Sequence, residues 1–291
     1  MSISIVMPTY NCRDLIADTL HPLLAAPGYF QELIIIDNGS NDGTKEFIQN
    51  RYPDITLIAN SHNRGASAAR NQGIDRAQEE YILCMDCDVM LSKGFFKNLK
   101  RILKKLPESV AAISPKTIQS GTDKIFSCGL AVSSLLRTHD IGKNKDTASL
   151  GKRKPIDGPN TCCAIYRKKY LDLVKEHSYF DEDFFFIGED ADLALRFKEK
   201  GFLCLMFPQL TCSHRGKSSG FSDQRRRYFS FRNRLYMILK HYRGKNMASF
   251  FIRSFFYDVI RTVHFFLTNK YAFNIFSDLY EKWQKEKNNH I

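Results

Sequence analysis

The first hundred residues alternate between two hydrophobic periods. Residues 3–7, 33–36, 55–59 and 81–85 are short apolar runs rich in β-formers, and the stretches 14–24, 44–50 and 66–77 between them carry helical spacing. Strand and helix alternating through connections this short predict right-handed βαβ units and a parallel sheet. In such sheets ligands bind beyond the carboxyl ends of the strands. Three predicted strands end in polar or acidic clusters: Pro8-Thr9-Tyr10-Asn11, Asp37-Asn38-Gly39-Ser40 and Asp86-Cys87-Asp88. Together they read as one site.

The middle of the chain is less regular. Residues 111–118 and 125–133 read as strands, 137–154 as a polar, mobile loop, 161–166 as a strand and 168–175 as a helix. Residues 190–200 predict a helix ending at Gly201, and 202–207 a further buried strand. Beyond about Phe221 the composition turns basic and aromatic. Residues 250–267 are very apolar, yet Arg253, Asp258, Arg261 and His264 fall on one side at about 100° per residue, opposite Ile252, Phe256, Val259, Ile260 and Val263. That spacing predicts an amphipathic helix, and no uncharged apolar run is long enough for a span.

Charge widens the choice of partners. Against 31 Asp and Glu stand 43 Lys and Arg, a formal +12, which favours nucleic acid, nucleotides or an anionic membrane surface. The eight cysteines show no disulfide framework, and Cys84-x-x-Cys87 has no second pair at zinc-ribbon distance. Most lie in apolar runs, as expected of thiols in a reducing cytoplasm. The opening MSISIVMPTYN enters a strand pattern directly, so no signal peptide is expected. The motifs of P-loop NTPases, dinucleotide dehydrogenases, zincins and nucleophile-elbow hydrolases are all missing from the sequence.

On a strand, Asp86 and Asp88 would share a face and converge on one cation. Mg²⁺ or Mn²⁺ bound by carboxylates and substrate phosphates would neutralise a diphosphate leaving group. Asp37 and Asn38 end a strand where a nucleobase or ribose could be read, while Gly39 and Gly43 make the turn. Arg70, on a helix of small residues, is either a donor contact or a solvated arginine. Glu189, Asp190 and Asp192 crowd a helix start, where the dipole favours acids and a general base could face a cleft. The preceding Phe184-Phe185-Phe186-Ile187 could wall an acceptor site or be plain core. His214 is either a structural hydrogen-bonder or a third metal ligand, which would lean the site toward Mn²⁺.

In order, the stretches SIVMPTYN, LIIIDNGSNDGT, NRGASAARNQGI, YILCMDCDVML, GPNTCCAIYRKKYL, FFFIGEDADLALRFKEKGF and TCSHRGKSSG resemble the family 2 glycosyltransferases, over roughly residues 3–220. The resemblance implies an α/β GT-A (Rossmann-like) nucleotide-diphospho-sugar transferase fold with a helical C-terminal extension. Residues 1–220 would form the catalytic domain, with a nucleotide-sugar half to about 118 and an acceptor half over 119–220; residues 221–291 would form the basic helical region. By position it implies nucleotide-sugar contacts from Pro8, Thr9, Tyr10, Asp37, Asn38, Arg70, Asp86, Cys87 and Asp88. It further implies Mn²⁺ or Mg²⁺ on Asp86, Asp88 and His214, with Asp190 as the general base of an inverting displacement.

Asn38 stands where many relatives have a second Asp, which leaves UDP-, TDP- and GDP-linked donors open. The pattern is most similar to the rhamnosyltransferase-like branch. The implied acceptor is a glycan or lipid-linked glycan in cell-surface polysaccharide assembly, at the inner face of the membrane, with no nucleic acid partner. The aromatic helix and Arg225-Arg226-Arg227, Arg232 and Arg234 suit an anionic membrane surface, a second subunit or packing on the chain's own core. A sugar-phosphate nucleotidyltransferase and a basic nucleic-acid-binding protein are the rival readings.

Overall fold

A computed structural model describes residues 2–216, 220–242 and 245–288. The first part runs β1 (Ile3–Thr9), α1 (Arg13–Leu24), β2 (Glu32–Asp37), α2 (Thr44–Arg51), β3 (Thr56–Ala59), α3 (Gly65–Arg76), β4 (Tyr81–Met85), β5 (Val89–Leu91), α4 (Phe95–Leu103) and β6 (Val110–Gln119). Next come β7 (Ile125–Ser127), β8 (Leu130–Val132), β9 (Thr138–Asp140), β10 (Lys154–Ile156), β11 (Cys163–Arg167), α5 (Lys168–Val174), α6 (Glu189–Glu199) and β12 (Leu203–His214). Three helices follow: α7 (Asp223–His241), α8 (Lys245–Thr268) and α9 (Asn274–Asn288).

The central sheet has the order β10-β12-β6-β11-β4-β1-β2-β3. β1 is parallel to both β2 and β4, and β11 runs antiparallel between β4 and β6. The chain winds outward from β1 to β2 and β3, then crosses back through α3 to β4 on the other side of β1, which opens a crevice beyond the carboxyl end of β1. Both sheet faces are covered. Ile5 and Met7 point into a layer with Ile16 and Leu20 of α1, and Val6 into the other with Ala69 and Ile74 of α3. Two-sided burial explains why these strands are unbroken apolar runs rather than alternating ones.

Four expectations change. Residues 125–133 are two strands, interrupted where Gly129 takes φ +102°. Residues 137–154 are not a loop throughout: β9 pairs antiparallel with β8, and β10 begins at Lys154. Polar sequence hid this, because the small sheet has little apolar alternation. β12 runs well past Phe207, crossing a register shift between Phe207 and Thr211 to deliver His214. Asp86, Cys87 and Asp88 lie in a turn between β4 and β5, not on a strand, so side-chain alternation is not what gathers the two acids.

The basic tail is anchored to the sheet domain. Arg232 donates to the carbonyls of Asp183 (2.9 Å) and Phe184 (3.0 Å), and Arg234 pairs with Asp258 at 3.0 Å. Both arginines are buried, so neither is available to a membrane or to nucleic acid. The α8 helix turns its charged side inward, with Asp258 on Arg234 and Arg261 donating to the Ser230 carbonyl at 3.1 Å. Its opposite side faces out: Ile252 is 78%, Phe256 80% and Leu267 80% exposed. The helix does pack on its own chain, through Phe250, Ser254 and Phe265, while that stripe lies outside the contact. No described helix is long and apolar enough to cross a membrane.

Candidate active site

Turns after β1, β2 and β4 meet in the crevice. Asp37, buried at the end of β2, accepts the Ser40 amide at 3.1 Å and the Thr9 hydroxyl at 3.5 Å. Asn38 is saturated by its own fold. Its amide nitrogen donates to Asn63 Oδ1 and the Gly65 carbonyl, and its oxygen accepts from Asn60 and the Arg64 amide. Pro8, Thr9, Tyr10, Asn38, Arg70, Asp86 and Cys87 line one pocket, closed on its apolar side by Phe185, Phe186 and Phe221. Asp37 stands behind that lining. The Cys87 thiol is free and buried, and its carbonyl accepts the Thr19 hydroxyl at 2.7 Å.

Arg70 is not a surface residue. Only 4% exposed, it donates to Glu189 at 2.7 Å and to Asp86 at 2.8 Å, tying the start of α6 to the turn after β4. Burial alone would favour the neutral guanidine, but the charges of Asp86 and Glu189 hold it firmly protonated. Sequence spacing gave no sign of this bridge, which joins positions 119 residues apart.

Asp86, Asp88 and His214 offer ligand atoms that all lie within 4.8 Å of one another. His214 Nε2 is 3.2 Å from Asp88 Oδ1, and its ring stands edge-on to Phe126. Burial opposes protonation of this imidazole, but the hydrogen bond and charge of Asp88 outweigh it and raise its pKa. Two carboxylates and one imidazole are a donor set that suits Mn²⁺ or Mg²⁺, so the residues fit the expected ion.

A larger cavity of about 590 Å³ adjoins the pocket and shares Arg70, Asp86 and Phe186 with it. His214, Glu189 and Asp190 line it as well. Desolvation, then the nearby charges of Glu189 and Asp140, push the Asp190 carboxyl up to about 8, against the pull of Arg70. Asp140 was missed because its segment read as loop; it is held at 2.8 Å by Asn160 of the GPN stretch.

The segment before α6 is strained. Phe185 has φ +61° and ψ −56°, and the Phe186 amide donates to the Phe184 carbonyl at 2.6 Å, which defines a γ-turn. Asn233 of α7 holds the turn open by donating to the carbonyls of Phe184 and Phe186, each at 2.9 Å, and of Ile187. Phe184 is core, whereas Phe185 and Phe186 face the pocket and Ile187 the cavity.

A doubly wound sheet with an acid–imidazole cluster beyond its strand ends is an α/β arrangement of the GT-A fold class. More particularly, the family model described as glycosyl transferase family 2 matches residues 4–174, and the chain belongs to that family. It is 38% identical over 116 residues to TuaG of Bacillus subtilis, named as a teichuronic acid biosynthesis glycosyltransferase; the match covers 38% of this chain and 44% of that one. It is 35% identical over 184 residues to the poly-β-1,6-N-acetyl-D-glucosamine synthase of Staphylococcus epidermidis, covering 62% of this chain and 42% of that one. The chain thus spans less than half the length of these curated relatives. In fold it is similar to S. aureus TarS (TM-score 0.57, 18% identity, 88% of this chain and 44% of that one). It is also similar to the mannosyltransferase PcManGT of Pyrobaculum calidifontis, solved with GDP-Man and Mn²⁺ (TM-score 0.57, 17% identity, 94% and 72%).

Proposed function

We propose that the chain is a metal-dependent inverting glycosyltransferase that moves a sugar from a nucleotide-diphosphate donor to a glycan acceptor of a cell-surface polysaccharide. One observation carries the reading: a single cavity is lined by Asp86 and His214 at one place and by Asp190 at another, next to a pocket with an aromatic wall. The nucleoside rests in the pocket against Pro8, Thr9, Tyr10 and Asn38, with Asp37 and Cys87 fixing the floor behind them. Asp86, Asp88 and His214 hold Mn²⁺ or Mg²⁺, which supplies charge neutralisation for the diphosphate leaving group. Arg70 keeps Asp86 and the start of α6 in register. Asp190 takes the acceptor hydroxyl proton as that oxygen bonds to the anomeric carbon and the carbon–diphosphate bond breaks. Its raised pKa makes it a stronger base than an ordinary carboxylate. Attack opposite the leaving group inverts the configuration.

Calorimetric titration with UDP, TDP and GDP, each with and without Mn²⁺, tests the donor site. Metal-dependent binding of one nucleotide that is lost in Asp88→Ala is the expected result. No binding of any nucleotide to the folded chain rejects the reading, and a product of retained configuration rejects the inversion.

The outward side of α8 and α9 supports a membrane partner. Phe256, Phe273, Phe276 and Trp283 are exposed there, and exposed Arg253, Lys285 and Lys287 lie on the same two helices. An anionic bilayer surface matches both properties. The chain should sediment with vesicles containing phosphatidylglycerol and not with purely zwitterionic ones. Self-association without sedimentation would assign the face to a second copy instead.

A further inference from the structure

The cavity has a second end that the donor reading does not use. Arg226 and Arg234 of α7, Arg261 of α8 and Arg137 before β9 all line it. These groups form one wall: the Arg137 guanidinium lies 3.7 Å over the Tyr257 ring, and Arg234 lies 5.6 Å from the same ring. Arg261 is close enough to Arg234 that its charge disfavours protonation there. Arg234 also pairs with the Asp258 carboxylate at 3.0 Å. Four guanidinium groups facing one cavity repel one another, most strongly at Arg234, the buried member, where little water screens the repulsion.

Hydrogen bonding is also incomplete. Arg234 is 6% exposed, yet its Nε–H donates to no protein atom, and neither does that of Arg137. Buried donors left in this state call for an acceptor from outside the chain. Guanidinium groups in a wall match the paired oxygens of a phosphate. The donor's own diphosphate is accounted for at Asp86, Asp88 and His214, on the strand-end side of the cavity.

We propose that the Arg137, Arg226, Arg234 and Arg261 wall is a second anion site that binds the phosphate of a phosphate-bearing acceptor. This rests on the glycosyltransferase reading for the word acceptor, though not for the anion. The acceptor's phosphate is gripped at the α7–α8 wall while its sugar hydroxyl reaches Asp190 across the same cavity. The phosphate could link the glycan to a lipid, since α8 brings Arg261 and Tyr257 to the wall on one side and carries the exposed apolar stripe on the other. It could equally belong to a soluble phosphorylated glycan.

The full chain, saturated with Mg²⁺ and the nucleoside diphosphate that binds it, is titrated with geranyl phosphate and separately with sn-glycerol 3-phosphate. The native protein binds at least one probe. The Arg137→Gln/Arg261→Gln variant binds it at least tenfold more weakly, with the nucleotide dissociation constant unchanged. Tighter binding of geranyl phosphate identifies a lipid-linked acceptor, and equal binding a soluble one; both uphold the site. Should the double variant melt early, Arg137→Gln alone reads the same loss. Unchanged probe affinity in the variants, or no probe binding to a chain that binds nucleotide, overturns the site. If nucleotide fails to bind while the arginine-dependent phosphate binding persists, the glycosyltransferase reading falls and the anion site stands.

Discussion

Asp190 and Asp192 are two residues apart on α6, which puts them about 200° apart around the helix axis. Asp190 looks into the cavity, among Glu189 and Asp140, and its pKa is raised to about 8. Asp192 is fully buried on the other side, within 3.0 Å of Arg196, Lys240 and His241. Burial would raise its pKa, but those three cations together depress it strongly. The same residue type in one motif thus serves two ends. Where acids outnumber cations the carboxyl becomes basic enough for chemistry; where cations outnumber acids it becomes a latch that fastens α7 to the catalytic domain.

The contrast breaks most visibly in activity. Asp190→Asn should lower sugar transfer by about 10²–10⁴-fold in a product assay at saturating donor. Its denaturation midpoint at pH 8 should not fall, because a carboxyl of raised pKa opposes folding there. Asp192→Asn should do the reverse. Leaving Arg196, Lys240 and His241 without their shared partner should cost about 3–5 kcal/mol in urea denaturation. Molecules of this variant that remain folded should still bind nucleotide.

Acidity sharpens the same comparison. Asp190 acts when deprotonated, so the transfer rate should climb about tenfold per pH unit below pH 8 and then level off, a slope that vanishes in Asp190→Asn. On the latch side His241 is raised to about 9: burial opposes its charge, but hydrogen bonds to Asp192 and Glu199 prevail. A raised histidine stabilises the fold fully below its unfolded pKa and loses that contribution as pH rises to about 9. Denaturation midpoints should therefore decline between pH 6.5 and 9, and His241→Gln should flatten the decline. The smallest effect is the coupling. No described contact is shared by the two acids, so the stability changes of the Asp190→Asn and Asp192→Asn variants should add to within about 0.5 kcal/mol.

The first hundred residues were legible because β1, β2 and β4 are buried on both faces and each turn carries its own punctuation. β4 spans Tyr81–Met85, as its apolar run predicts, and the polar clusters after β1, β2 and β4 do meet. What sequence could not reveal is pairing at long range. Arg70 with Glu189, Asp192 with His241, and Asn233 with the turn at Phe185 join segments whose separate patterns give no hint of one another. The β8–β9 ribbon, which brings Asp140 and Arg137 to the cavity, was concealed by polar residues that follow neither period. The α8 helix showed its amphipathic pattern plainly, but not which side faces water. That depends on Arg234 and Ser230 waiting for its charged side.

The γ-turn at Phe185 limits how this sequence can drift. Its carbonyl accepts the Ala66 amide at 2.7 Å, and a Cβ on Gly65 would come within 2.6 Å of that same oxygen. On its other flank Asn233 of α7 grips the neighbouring carbonyls. A side chain gained at 65, a relaxed backbone at 185 or a lost amide at 233 each removes the reason for the other two. Positions 65, 185 and 233, remote from one another along the chain, therefore constrain one another through a single turn, and a change at one is expected to call for a matching change at the others.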